Sequence, residues 1–210
     1  MLYPFKGRFQ QFADRFAGAG MTANWATFWG LVCVGLTLVC FYWGSRFTLL
    51  LWLNPLVLLL RFIMNALDGL LARRQNTASS AGEVMNELSD VVGDTLSYGV
   101  LYFLFPQQQL LVGILLLSIW FCEYVAVLGK SLPGGLRRQE SLGGAKPERA
   151  VWLGLLSLTW ACNETFVRGH IGQFLGVVTV LVVLTGLKRI HKSLQVARGQ
   201  QYASLTQYGQ

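Results

Sequence analysis

The stretch FAGAGMTANWATFWGLVCVGLTLVCFYWGS, residues 16–45, carries no charged side chain between Arg15 and Arg46. A helix of about 20 apolar residues crosses the hydrocarbon core of a bilayer, so this stretch reads as a membrane span. Two more uncharged stretches of spanning length follow, between Asp94 and Glu123 and between Arg168 and Lys188. The 210-residue chain is 53% hydrophobic and 13% charged, where a soluble domain carries about 25% charged residues. That deficit, with a mean hydropathy of +0.46, excludes a disordered chain, a disulfide scaffold and an ordinary cytosolic enzyme. The expected class is an all-α polytopic membrane protein with one helical domain.

Working outward, six transmembrane helices are expected, over about 22–43, 47–73, 82–105, 109–132, 149–167 and 171–188. Pro55 is expected to kink the second. Before them, Phe5, Phe9, Phe12 and Phe16 recur at helical spacing opposite Lys6, Arg8, Gln11 and Arg15. That pattern predicts an N-terminal amphipathic helix in the membrane interface, ended by Gly18-Ala19-Gly20. A signal peptide fits poorly, because no apolar run or small-residue cleavage site follows the basic residues. The expected division is residues 1–20 as the juxtamembrane helix, 21–192 as the six-helix domain and 193–210 as a polar cytoplasmic tail.

The chain has 17 Lys and Arg against 10 Asp and Glu. No nucleic-acid motif accompanies this excess, and membrane topology explains it. Lys6, Arg8, Arg15, Arg73, Arg74, Lys130, Arg137, Arg138, Lys146, Arg149, Lys188, Arg189, Lys192 and Arg198 fall on one side, and only Arg46 and Arg168 on the other. Basic residues gather on the cytoplasmic side, so both termini are expected there. Cys33, Cys40, Cys122 and Cys162 sit in apolar runs without paired spacing and read as packing residues. Asn163-Glu164-Thr165 matches a glycosylation sequon at the edge of a span, a weak signal. His170 and His191 lack ligand-like neighbours, and Trp25, Trp43 and Tyr102 suit an interfacial belt.

The acids are concentrated: Asp68, Glu83, Glu87, Asp90 and Asp94 make up half of the 10. Ionisable groups within spans are costly and mark functional sites. Asn65 and Asp68 are spaced i, i+3, while Asn86, Asp90 and Asp94 are spaced i, i+4, i+8, so each set shares a helix face. The short connection 74–81 makes the two helices antiparallel neighbours. Oxygen donors converging from two helices suit a hard divalent cation, Mg²⁺ or Mn²⁺. A polar packing network and a proton or ion pathway remain open on spacing alone. Glu123 lies in the fourth span, where it faces Arg61 or lines the pocket.

Asn65-Ala66-Leu67-Asp68-Gly69-Leu70-Leu71-Ala72-Arg73, eight residues, Gly82, three residues, Asn86, three residues and Asp90 resembles the CDP-alcohol phosphotransferase signature D-x-x-D-G-x-x-A-R, eight residues, G-x-x-x-D-x-x-x-D. Thr22-Ala23-Asn24 with Thr27, the six spans and the amphipathic helix also resemble this family. The resemblance implies an integral membrane transferase of phospholipid biosynthesis. Its donor is a CDP-linked lipid or alcohol and its acceptor an alcohol, with CMP released at the cytoplasmic face of the inner membrane. It implies metal ligation at the four signature positions, Asn65, Asp68, Asn86 and Asp90, and Asp90 as general base; Asp94, one turn on, is a further metal-ligand candidate. It further implies contact with the CDP group at Asn24, Asp68, Gly69, Ala72, Arg73 and Gly82, and a homodimer.

This sequence departs from the signature at its first and third acidic positions, which are Asn65 and Asn86. An amide oxygen ligates a cation without adding charge, so Asp94 and Glu87 become candidates to restore it. Lys130, Lys146 and Arg149 are the acceptor-binding candidates, suited to a phosphorylated alcohol. Pro147 fits the first turn of the fifth helix. Two other classes stay open: a catalytically degenerate relative that binds lipid or a partner, and an ion-coupled transporter. The clustering of acids toward one membrane face disfavours transport.

Overall fold

The computed structural model describes residues 16, 18, 20–75, 77, 79–132, 134, 135 and 141–208, the last nine by backbone alone. Most of the expected amphipathic helix, along with Arg137 and Arg138, lies outside these residues. Six long helices run in order: α1 Ala23–Gly44, α2 Thr48–Arg74, α3 Ser80–Leu104, α4 Gln109–Ser131, α5 Lys146–Cys162 and α6 Glu164–Tyr208. A single 3-10 turn, Pro106–Gln108, joins α3 to α4. No strand occurs among the described residues.

Local chemistry sets the boundaries. The Thr22 side chain accepts a hydrogen bond from Trp25 N–H to cap α1, and Ser79 Oγ accepts from Gly82 N–H at 3.1 Å to cap α3. Such caps satisfy backbone donors that a helix leaves free at its start. At the start of α5, Glu148 Oε2 accepts from Ala145 N–H at 2.9 Å, with Pro147 in the first turn. Asn163 Oδ1 accepts from Phe166 N–H at 2.9 Å and opens α6. This is why α5 stops at Cys162 and not at the expected 167: the Asn163 cap starts a new helix at Glu164.

Among the described residues, four helical segments are long and apolar enough to cross a membrane: Ala23–Gly44, Thr48–Arg74, Pro106–Ser131 and Glu164–Gly199. The other two differ for clear reasons. α3 carries Glu83, Glu87, Asp90 and Asp94, and α5 has only 17 residues. Large apolar side chains such as Leu110, Phe103 and Leu117 are more than 70% exposed. In a multi-pass membrane protein these are the surfaces that meet lipid.

α1 packs on α2 and α4 on α6, while α5 joins the two pairs through α2 and α6. The main apolar cluster runs through Phe41, Leu58, Leu101, Leu115, Trp160 and Leu175; a smaller one joins Ala26, Met64, Leu67 and Leu71 at the site end of α1 and α2. Pro55 lies inside α2. A proline there lacks the N–H that would bond the carbonyl four residues back, leaving Leu51 C=O without its helical donor. Ser157 Oγ of α5 donates to that carbonyl at 2.8 Å. The carbonyl freed by Pro55 thus becomes a point of attachment between α2 and α5.

Candidate active site

Antiparallel α2 and α3 bring the two motif halves together beside α1. Asn65 Nδ2 donates to Asp90 Oδ1, so the first and last motif positions touch. Thr27 of α1 donates through Oγ1 to Asp68 Oδ2 at 2.7 Å. The other Asp68 oxygen accepts no hydrogen bond among the described residues. A Cβ added to Gly30 would lie 2.7 Å from Asn65 Oδ1, so glycine there makes room for the amide oxygen. A Cβ on Gly69 would meet only Arg73 Nη2, at 3.6 Å, leaving space over the α2 backbone. Arg73 is exposed and donates through Nε to Gly69 O at 2.9 Å.

Lys146, the first residue of α5, reaches across to these acids. Its Nζ lies 2.7 Å from Glu87 Oε2, 3.0 Å from Asp90 Oδ2 and 3.5 Å from Glu123 Oε2. Lys130 pairs with the other Glu87 oxygen and lies 3.9 Å from Glu83. A cavity of 670 Å³ opens beside this pair, lined by Glu83, Lys130, Gly134 and Gly135.

Beneath lies a buried ionic layer. Arg61 Nη2 holds Asp94 Oδ1 at 2.9 Å, and Arg149 Nη2 holds Asp94 Oδ2 at 2.7 Å. Arg149 also donates to Glu123 at 2.9 Å and to Gly144 O at 2.8 Å, and it is fully buried. Arg189 of α6 reaches Glu123 at 3.6 Å and donates to Cys122 O at 3.0 Å. Two glycines admit this layer. A Cβ on Gly93 would stand 2.5 Å from Arg61 Nη2, and one on Gly144 would stand 2.5 Å from the α6 backbone at Val182. The cations Arg61, Arg149, Arg189 and Lys146 balance Asp94, Glu123, Asp90 and Glu87. Buried charges persist when paired in this way.

The structure therefore brings Asn65, Asp68, Asp90 and Lys146 into one region with Thr27, and Lys130 to its rim. Asn86 is half-buried one turn before Asp90 and makes no side-chain hydrogen bond among the described residues. Asn24 and Gly82 are exposed near the starts of α1 and α3, and Ala72 is half-buried near the end of α2. Asp94 and Arg149 are turned inward, toward each other. The sequence alone leaves open whether Glu123 faces Arg61 or the pocket: its partners are Arg149, Lys146 and Arg189. Arg61 and Arg189 were legible only as one candidate partner and a topology charge, although Arg61 stands within a helical apolar run.

Donor chemistry decides how a divalent cation would fit. Among the described residues one Asp68 oxygen and the amide oxygens of Asn65 and Asn86 accept no hydrogen bond, and oxygen donors of these types suit a hard divalent ion. At Asp90 the fit fails: one oxygen receives the Asn65 amide N–H and the other the Lys146 ammonium. Among the described residues, no three His, Cys, Asp or Glu side chains gather as a metal cluster would.

Comparison with known proteins matches this geometry. The chain is 29% identical over 174 residues to the Escherichia coli (strain K12) inner membrane protein YnbA, covering 83% of this chain and 85% of YnbA. It also shares a fold with Mycobacterium tuberculosis phosphatidylinositol phosphate synthase (PgsA1), solved with CDP-DAG bound. The TM-score is 0.66 at 20% identity, over 88% of this chain and 92% of the synthase. The family model for CDP-alcohol phosphatidyltransferase matches residues 20–186, a family whose members use divalent metal ions. With the motif spacing met at Asp68, Gly69, Arg73, Gly82 and Asp90 and the two halves in contact, the chain belongs to the CDP-alcohol phosphatidyltransferase family and is a phosphotransferase of that type.

Proposed function

We propose that this enzyme moves a phosphatidyl or related substituted-phosphate group from a CDP-linked lipid to an alcohol and releases CMP. The observation that carries this reading is Asp90, half-buried at the last motif position, touching Asn65 of the opposite motif half and Lys146 of α5. The synthase of similar fold holds CDP-DAG, which supports a CDP-linked lipid as donor.

In this reading the donor diphosphate lies over Gly69, where the absent side chain admits it, and the exposed Arg73 guanidinium faces it. Thr27 fixes Asp68 beside it. A Mg²⁺ or Mn²⁺ ion held by Asp68 with the amide oxygens of Asn65 and Asn86 would neutralise the diphosphate and polarise phosphorus. Asp90 takes the proton of the acceptor hydroxyl while the acceptor oxygen bonds to the phosphorus of the phosphatidyl group. The bond from that phosphorus to the bridging oxygen breaks, and CMP departs. Lys130 and Lys146 line the acceptor side, with cationic heads suited to a phosphorylated alcohol. Asp94 and Arg149 hold the arrangement from within.

We place all six helices across the inner membrane, with both termini and the site cytoplasmic. The excess of Lys and Arg at the site end of the helices supports this orientation, and the relative's description as an inner membrane protein supports the compartment. The test is CMP release by the reconstituted protein from CDP-diacylglycerol across a panel of alcohols, with lipid products identified by mass spectrometry. Asp90→Asn should lower the rate by about 10²–10⁴-fold, the usual contribution of a positioned base. An unchanged rate removes Asp90 as base, and absence of CMP release with every acceptor overturns the reading.

A further inference from the structure

The two asparagines of the motif and the position of Lys146 belong together. Asn65 and Asn86 subtract two carboxylates from the signature, and Asp90 retains no oxygen free of an N–H donor. The Lys146 ammonium sits among Glu87, Asp90 and Glu123 at 2.7, 3.0 and 3.5 Å. Three carboxylates from α3 and α4 thus share one positive centre.

We propose that Lys146 is a built-in cation that occupies the Asp90 side of the site and excludes a metal ion from it, leaving at most one divalent ion, at Asp68. The inference rests on the phosphotransferase reading and deepens it.

The surroundings of Lys146 make it a fixture. It opens α5, Pro147 follows, and Glu148 closes the first turn on Ala145 N–H. Three residues on, Arg149 is locked to Asp94, Glu123 and Gly144 O. Gly143 has φ +95°, and Gly144 is pressed against Leu181 and Val182 of α6. The loop that delivers the ammonium therefore packs against α6, where Thr185 Oγ1 accepts from Leu142 and Gly144 N–H. A lysine head is a compact point charge with three donors, and three carboxylate oxygens lie within its reach. It supplies one positive charge where an exchangeable divalent ion would supply two. That smaller charge suits a motif in which two aspartates have become neutral amides.

The test is a Mn²⁺ titration of the full-length, detergent-purified protein, read by electron paramagnetic resonance. Wild type should bind no more than one Mn²⁺ per chain, and Asp90→Asn should leave that number unchanged. Lys146→Met, which removes the charge but keeps an unbranched side chain, should gain one Mn²⁺ per chain. That gain should disappear in Lys146→Met/Asp90→Asn. Lys146→Arg, which keeps the charge, should match wild type and report on the site if the methionine variant does not fold. No gain in a folded Lys146→Met, a gain in Lys146→Arg, or a wild-type ion lost with Asp90→Asn each overturns the proposal. The metal count is independent of turnover. If wild type releases no CMP, the phosphotransferase reading fails while the count still decides the role of Lys146 at Asp90.

Discussion

Replacing Arg149 by methionine tests the buried ionic layer directly. Its guanidinium is fully buried and donates to Asp94, Glu123 and Gly144 O. Without it, Asp94 retains Arg61 at 2.9 Å, and Glu123 retains only Lys146 at 3.5 Å and Arg189 at 3.6 Å. The network loses one of its balancing cations and is left with a net negative charge away from water. Removing one partner of a buried ion pair costs about 3–5 kcal/mol, chiefly through the charge left behind. The orphaned Gly144 carbonyl adds about 1 kcal/mol. Equilibrium unfolding of the micellar protein by sodium dodecyl sulfate, followed by tryptophan fluorescence, should show a loss in this range. Arg149→Lys should recover part of it, because lysine restores charge but not the fork that spans two carboxylates. The discriminating experiment adds Asp94→Asn. If the double variant is no less stable than Arg149→Met alone, the two groups are coupled as the geometry requires. A loss below about 1 kcal/mol for Arg149→Met would refute the argument, since no buried charge would then depend on it.

Other outcomes follow from single contacts. Ser157→Ala should destabilise the protein by about 1–3 kcal/mol, the cost of a buried acceptor left unpaired. In a Pro55→Ala background the same change should cost less, because the backbone N–H restored at position 55 can serve Leu51 C=O; equal costs in the two backgrounds would contradict the freed-carbonyl account. Thr27→Val should leave folding intact and weaken use of the CDP-linked donor about 10–100-fold, the equivalent of one hydrogen bond to a charged acceptor. This is read as kcat/KM for CMP release, and an unchanged value would separate Thr27 from the orientation of Asp68.

The first four helices were legible to within a residue or two because apolar runs ended at turns and charges. The fifth and sixth were not. Asn163-Glu164-Thr165 reads as a sequon at the edge of a span, whereas the Asn163 side chain caps α6 and shifts the break. Hydropathy falls after Lys188, yet α6 continues to Tyr208, because polar residues end a span without ending a helix. Part of the site was legible from the spacing of Asn65, Asp68 and Asp90. The role of Arg149 was not: a basic residue at the start of a span gives the same positive-inside signal whether it faces headgroups or is fully buried between Asp94 and Glu123. Arg189 misled in the same way. Only the packing of α5 and α6 against α3 and α4 separates the two cases.

The ionic layer also orders the birth of the molecule. Glu87, Asp90 and Asp94 leave the ribosome before Lys146, Arg149 and Arg189, the cations that neutralise them. During that interval α3 is a helix rich in carboxylates with only Arg61 and Lys130 at hand. The α3 carboxylates thus gain most of their partners only after the last two helices arrive. Synthesis truncated after α4 should leave these carboxylates without Lys146, Arg149 and Arg189 and the nascent chain prone to quality-control proteolysis.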